Sequence, residues 1–342
     1  MAADPVALHR AARVFDAHVD TVLALEGGRP FAVRSATGHV DVPRLRAGGV
    51  DVQVFALYIE PQYKPERALA RVLHLWDTLM RAVAEAGAAL RVCRCSADLE
   101  AAAAAGQIAA LLSVEGGEVI GTDLALLRAL HALGVSAMGL TWNERNAIAD
   151  GAGEDRAQGG LTGFGREVVA EMDRLGMVID VSHLCERSFW DVLETAGGPV
   201  IASHSNARAL CDHVRNLREA QIRALAAAGG VMGMNFFASF LDAEPAKADV
   251  GRVCDHIEYI CGLVGPRHVG LGSDFDGIAQ TPRGLEDCSR MPAITEELLR
   301  RGYADADVHL ILGENFLRVF GEVWGRAAAA GVGAGRAPVS GA

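Results

Sequence analysis

No stretch of the 342-residue chain runs apolar for the ~18 residues that a membrane helix needs. The five alanines at 101–105 are too few, and Glu100 and Gln107 flank them. Residues 1–13 lack the basic start and apolar core of a secretory signal. Basic charge is scarce too: 32 Lys and Arg stand against 43 Asp and Glu, a net charge of -11, with no basic run to bind nucleic acid. The seven cysteines are an odd, scattered set without a two-residue-spaced pair. That pattern points to free thiols in a reducing compartment and a structural role for Cys93 and Cys95. The expectation is a cytoplasmic protein with neither membrane nor nucleic acid as partner.

What is present is core: 51% of residues are hydrophobic and 22% charged. Eight continuous apolar runs read as strands, at 13–20, 51–58, 108–115, 135–141, 177–182, 199–203, 230–237 and 268–273. Continuous rather than alternating runs suit parallel strands buried on both faces. Helical spacing follows nearly all of them, for example over 65–86, with Leu69, Val72, Leu73, Trp76, Leu79, Met80 and Val83 on the apolar face. The pattern predicts a (β/α)8 barrel of TIM type with extra C-terminal helices, in one domain over 1–326. An Ala/Gly-rich tail over 327–342 is expected to be loose. An open doubly wound sheet is disfavoured because no Gly-x-Gly-x-x-Gly follows the first strand.

Metal-type side chains stand at the ends of these strands. The first ends in His18-Val19-Asp20, the third in Glu115, the fifth in His183 and the sixth in His204. Any one of them alone reads as a capping or turn residue. Together, at one barrel mouth, three histidines and two carboxylates without cysteine suit a borderline divalent ion, zinc first. Five ligands exceed the needs of one catalytic ion, so two zinc ions bridged by Glu115 are expected. A hydroxide between them would be the nucleophile. Asp274, after the eighth strand, is placed to take the proton from that water and deliver it to a leaving group.

These residues carry a resemblance. The blocks Asp16-Ala17-His18-Val19-Asp20, Ser113-Val114-Glu115-Gly116-Gly117, Ile179-Asp180-Val181-Ser182-His183, Ile201-Ala202-Ser203-His204-Ser205, Val214-Arg215-Asn216 and Gly272-Ser273-Asp274-Phe275-Asp276-Gly277 follow one another in order. In this the chain resembles the membrane (renal) dipeptidase family of metal-dependent amidohydrolases, from residue 15 to about 320. The resemblance implies one ion on His18, Asp20 and Glu115 and a second on Glu115, His183 and His204. It implies that Arg215 pairs with the free carboxylate of a dipeptide, that Asp274 is the proton shuttle, and that L-Xaa-D-Xaa dipeptides are among the substrates. A homodimer is a further implication.

The chain departs from the family at Trp142, where characterised mammalian members carry a histidine thought to polarise the scissile carbonyl. Asn143 or Asn146 is the expected replacement donor, with Trp142 and Asn143 beside the substrate. A hydrolase of another amide, ester or lactone on the same metal site is the alternative, and a non-catalytic metal-binding barrel is a third reading.

Overall fold

The computed structural model describes residues 4–332. Nine strands form one sheet: β1 Val14–Val19, β2 Val50–Tyr58, β3 Leu90–Val92, β4 Ile108–Glu115, β5 Val135–Gly139, β6 Val178–Asp180, β7 Ile201–Ser205, β8 Val231–Met234 and β9 Val269–Leu271. Their order is β2-β1-β9-β8-β7-β6-β5-β4-β3, and β2 pairs with β4 to close the ring. Every pairing is parallel. Eight strands therefore make the expected barrel.

The ninth, β3, is an addition that the sequence pattern does not reveal. It pairs with the first residues of β4, at Ile108 to Ala110, below the point where β5 joins β4 at Leu112. Three residues, one of them Arg91, are too short to display a period. Three short helices were also illegible as helices: Pro5–Ala11, Thr21–Glu26 and Val42–Ala47.

Burial follows from the parallel arrangement. All residues of β1 and of β4 are buried, since side chains of one face fill the barrel and those of the other meet helices. The long helix after β2 spans Ala68–Ala86 and buries Ala68, Arg71, Val72, Leu75, Thr78, Leu79 and Ala82, the spacing of one helix face. That face is turned slightly from the expected one, and Leu73 is 40% exposed.

The last helix, Asn315–Ala329, contributes Phe316, Val319 and Phe320 to the cluster inside the barrel, together with Phe15, Val54, Leu111 and Val231. Phe15 packs on Phe316 and Phe320 with ring centroids 5.2 and 5.3 Å apart. Gly270 makes this plug possible, because a Cβ there would meet the Phe316 ring at 2.4 Å. The helix runs past 326 and buries Ala327, so the expected tail begins no earlier than Ala330; residues 333–342 lie outside the described residues.

Five strands (β1, β5, β6, β8 and β9) end earlier than the apolar runs suggest, β2 and β4 end where expected, and β7 runs two residues further, to Ser205. β9 stops at Leu271, and a Cβ at Gly272 would lie 1.8 Å from the Ser203 carbonyl oxygen. The candidate ligands sit at this C-terminal mouth, His18, Glu115 and His204 on the last residues of β1, β4 and β7, and Asp20 and His183 in the turns that follow β1 and β6.

Candidate metal centre

Four of the five expected ligands gather around Glu115, the last residue of β4. Its two oxygens face different partners: Oε2 lies 3.4 Å from His18 Nε2, while Oε1 lies 2.9 Å from His183 Nε2 and 3.9 Å from His204 Nε2. Asp20 reaches the same centre through Oδ2, 3.5 Å from His18 Nε2. All five side chains are buried. Two compact sets emerge, His18 with Glu115 and His204, and His18 with Asp20 and Asp274. His18 is common to both. The partition implied by the resemblance shares Glu115 instead, and the split of its two oxygens is compatible with that too.

The hydrogen bonds around the histidines decide which nitrogens are free. Ser203 Oγ gives its proton to the Asp180 carboxylate, so it accepts from His204 Nδ1 at 2.7 Å. His183 Nδ1 donates to Asn143 Oδ1 at 2.9 Å. Both Nε2 atoms then carry lone pairs, yet they lie 2.8 Å apart with no proton to share. Burial also holds both rings neutral, His183 lowered to about 3 and His204 well below its ordinary value. His18 Nε2 and Asp20 Oδ1 are buried without any hydrogen-bond partner. Lone pairs facing one another, with a buried imidazole nitrogen and a buried carboxylate oxygen left without partners, are the environment a divalent cation relieves, so the residues present fit the implied metal.

The remaining charges are set by the same crowding. Burial opposes charge on His18, but the Glu115 and Asp20 carboxylates outweigh it and raise the pKa well above the usual imidazole range. Burial, and then the neighbouring Asp20 charge, push Asp274 well above the ordinary carboxylate range. Asp274 accepts a hydrogen bond from Asn235 Nδ2 at 2.8 Å. His183 and Asp274 both hold left-handed backbone, at φ 69° and 62°. Non-glycine residues adopt that conformation at a cost, tolerated here because it turns both side chains into the mouth.

A cavity of about 590 Å³ opens above this centre. Asp20, Glu115, His183 and Asp274 form its floor, and Arg215, Trp142, Asn143, Tyr58, Phe240 and His213 are among its walls. Arg215 is buried, and among the described residues its guanidinium makes a single hydrogen bond, Nη2 to the His204 carbonyl at 3.3 Å, with Nε left unpartnered. Burial lowers its pKa to about 10, which still leaves it cationic at neutral pH. Trp142 packs, tilted, between Tyr58 at 5.3 Å and His183 at 5.9 Å, with Lys64 Nζ 5.1 Å from its ring centre.

Of the two expected replacement donors, Asn143 lines the cavity but spends its oxygen on His183. Asn146 is a correction. Its amide donates to the Leu140 carbonyl and its oxygen accepts from Ile148 and Ala149, so it holds the loop and does not reach substrate space.

Sequence reasoning missed the residues that hold the ligands in place. Asp180 ties β6 to β7 through the backbone N–H groups of Ser182 and Ser203 at 3.0 and 2.9 Å. Asp16 does the same between β1 and β9, accepting from Ser273 N at 2.8 Å and Ser273 Oγ at 2.6 Å. Each aspartate lies two or three residues before a ligand histidine, a repetition visible in the sequence once its purpose is known. His39 stands beside the mouth, its Nδ1 accepting from Asp276 N at 2.9 Å. Asp276 itself is held by Arg29 and Thr21.

Three comparisons bear on this site. The family described as membrane dipeptidase (peptidase family M19) matches residues 3–330. The chain is 36% identical over 300 residues to the dipeptidase aclJ of Aspergillus oryzae, covering 84% of this chain and 70% of that one. Among solved structures, the fold matches a metallopeptidase from Rhodobacter sphaeroides, liganded with a phosphinate mimic of the dipeptide L-Ala-D-Ala. The TM-score is 0.86 at 30% identity, over 92% of this chain and 99% of that one. It also matches dipeptidase AC, a metallopeptidase of family M19, with a TM-score of 0.87 at 31% identity and the same coverage of both chains.

Proposed function

The chain belongs to the membrane dipeptidase family, peptidase family M19, and on that premise we propose that it is a binuclear zinc dipeptidase acting on L-Xaa-D-Xaa and L-Xaa-L-Xaa dipeptides. The observation that carries the reading is the Glu115 carboxylate, whose oxygens face His18 on one side and His183 with His204 on the other. His18, Asp20, Glu115, His183 and His204 would hold the ions. When bound, a divalent pair supplies Lewis acidity and water activated at neutral pH.

The protein's own side chains then divide the work. Arg215, buried and cationic with an uncommitted Nε, pairs with the C-terminal carboxylate of the substrate. That pairing restricts cleavage to the bond one residue from a free carboxylate. Water adds to the carbonyl carbon, the C–N bond breaks, and Asp274 passes a proton to the departing amine nitrogen. Asn235 holds Asp274 in place for that transfer. Trp142, clamped by Tyr58 and Lys64, limits the space left beside His183. The relative's phosphinate mimic of L-Ala-D-Ala supports including D-residues at the C-terminal position.

Hydrolysis of a panel of L-L and L-D dipeptides by zinc-loaded protein tests the reading, with Arg215→Ala compared on dipeptides and on a carboxylate-free ester. A rise in KM confined to dipeptides is expected. An equal loss on the ester would favour the broader amide, ester or lactone hydrolase.

A further inference from the structure

The mechanism above leaves one polar ring in the cavity without a task. His213 lines the same space as Arg215, two residues away in the chain. Its Nδ1 accepts the backbone N–H of Arg215 at 3.1 Å, so the proton of the neutral ring is on Nε2. Burial, and then the Arg215 charge, keep the ring on the neutral side of its ordinary pKa. Nε2 makes no hydrogen bond among the described residues.

The ring is also held rigidly. It packs on Phe240 with centroids 4.3 Å apart, and the Arg215 guanidinium carbon sits 5.8 Å from the centre of the same phenyl ring. Asn216 N donates to the His213 carbonyl at 3.0 Å, and His213 N donates to the Cys211 carbonyl at 2.8 Å, so the turn carrying both residues is braced at each end. Two donors of different kinds, one cationic and one neutral, thus share a single aromatic support at one end of the cavity.

Resting on the dipeptidase reading, we propose that His213 is a second recognition residue for the substrate's C-terminal carboxylate, donating from Nε2 to that carboxylate beside Arg215. A carboxylate has two oxygens and several lone pairs to satisfy. The guanidinium supplies charge, and the imidazole supplies a fixed direction that a free carboxylate accepts and a neutral terminal amide accepts less strongly. His213 is accordingly a specificity residue. It discriminates a free C-terminus from a blocked or extended one, and so sets dipeptides apart from longer peptides.

The test is steady-state kinetics of the zinc-loaded full chain with L-Ala-D-Ala and with its C-terminal amide. Two variants separate the roles of the ring. His213→Asn keeps an acceptor for the Arg215 N–H but cannot reach as far as Nε2, and His213→Phe keeps the stack on Phe240 but has no donor. Both are expected to raise KM for the acid roughly 10- to 100-fold, the usual span for a lost hydrogen bond to a charged group, with kcat and zinc content unchanged. On the amide, which lacks the charge Arg215 pairs with and is turned over slowly by wild type, the same variants should leave the residual kcat/KM unchanged, read at high enzyme concentration. A wild-type KM for either variant on the acid, an equal loss on acid and amide, or loss of zinc would each overturn the proposal.

The dipeptidase reading can fail separately. If wild type turns over no dipeptide, calorimetric titration with the phosphinate mimic of L-Ala-D-Ala reads binding directly. Weaker binding by His213→Asn then sustains the carboxylate contact without the reaction, and equal affinity overturns it.

Discussion

Nε2 of His183 and Nε2 of His204 stand 2.8 Å apart, and each ring has already committed its Nδ1 to a hydrogen bond elsewhere. Neither nitrogen has a proton to offer the other. The contact is a repulsion between lone pairs that a cation removes, and three of the predictions below, together with the closing measurement, follow from reading the site that way.

Stripping metal with a chelator should destabilise the folded chain, because an ion bound only by the native site adds stability by mass action. At free zinc a thousandfold above Kd that contribution is about 4 kcal/mol. Thermal melts with chelator and with restored zinc check it. A melting temperature indifferent to zinc would contradict the fit of these residues to metal.

Ser203→Ala removes the acceptor that fixes the His204 tautomer, and it frees Asp180 from its hydroxyl partner. Zinc affinity should fall ~10- to 100-fold, the usual effect of losing a partner of a metal-binding histidine. Competition against a chelating dye measures it. Unchanged affinity would leave Ser203 as no more than a link between β6 and β7.

Asp274→Asn keeps the side chain's size and its neighbour Asn235 but removes the proton donor. Loss of kcat by ~10²- to 10⁴-fold is expected, with both ions retained. Retained turnover would assign the proton to another group. Lost metal would make Asp274 a ligand, as its compact set with His18 and Asp20 allows.

His256 gives a pH prediction away from the ligands. Its Nδ1 accepts from Ala207 N at 3.1 Å, its Nε2 donates to the Leu241 carbonyl at 2.9 Å, and burial lowers its pKa to about 4. In the unfolded chain a histidine titrates near 6.5. A base with a depressed folded pKa contributes its full stability above about 6.5 and loses it as pH falls toward 4, here on the order of 3 kcal/mol. Urea unfolding of chelated protein at several pH values checks it, with His256→Gln as a comparator that keeps an amide donor and acceptor at the position but cannot take up the charge. Wild type should lose stability more steeply than the variant across that window. Parallel curves would contradict the assignment.

The barrel and the cluster of buried histidines and carboxylates at its mouth were legible because both leave marks at fixed places. Continuous apolar runs announce strands buried on two faces, and a metal-type side chain at the end of four of the eight runs needs no tertiary information to be noticed. What supports the ligands was not legible. Asp16 and Asp180 act across strands on Ser273 and Ser203, and nothing local says that residues 16 and 273 will be neighbours. The same holds for Asn146, which looks like a site donor in the sequence but closes its own loop on Leu140. His213 lay near Arg215 in the chain, yet only Phe240, twenty-five residues further on, shows that the two share a support.

The most direct test of the central claim is titration of metal-free protein with zinc while hydrolysis of L-Ala-D-Ala is followed. The account predicts activity that rises until two equivalents per chain are bound and then levels off. Saturation at one equivalent would contradict the Glu115-bridged pair, and absence of turnover at any zinc concentration would contradict the dipeptidase itself.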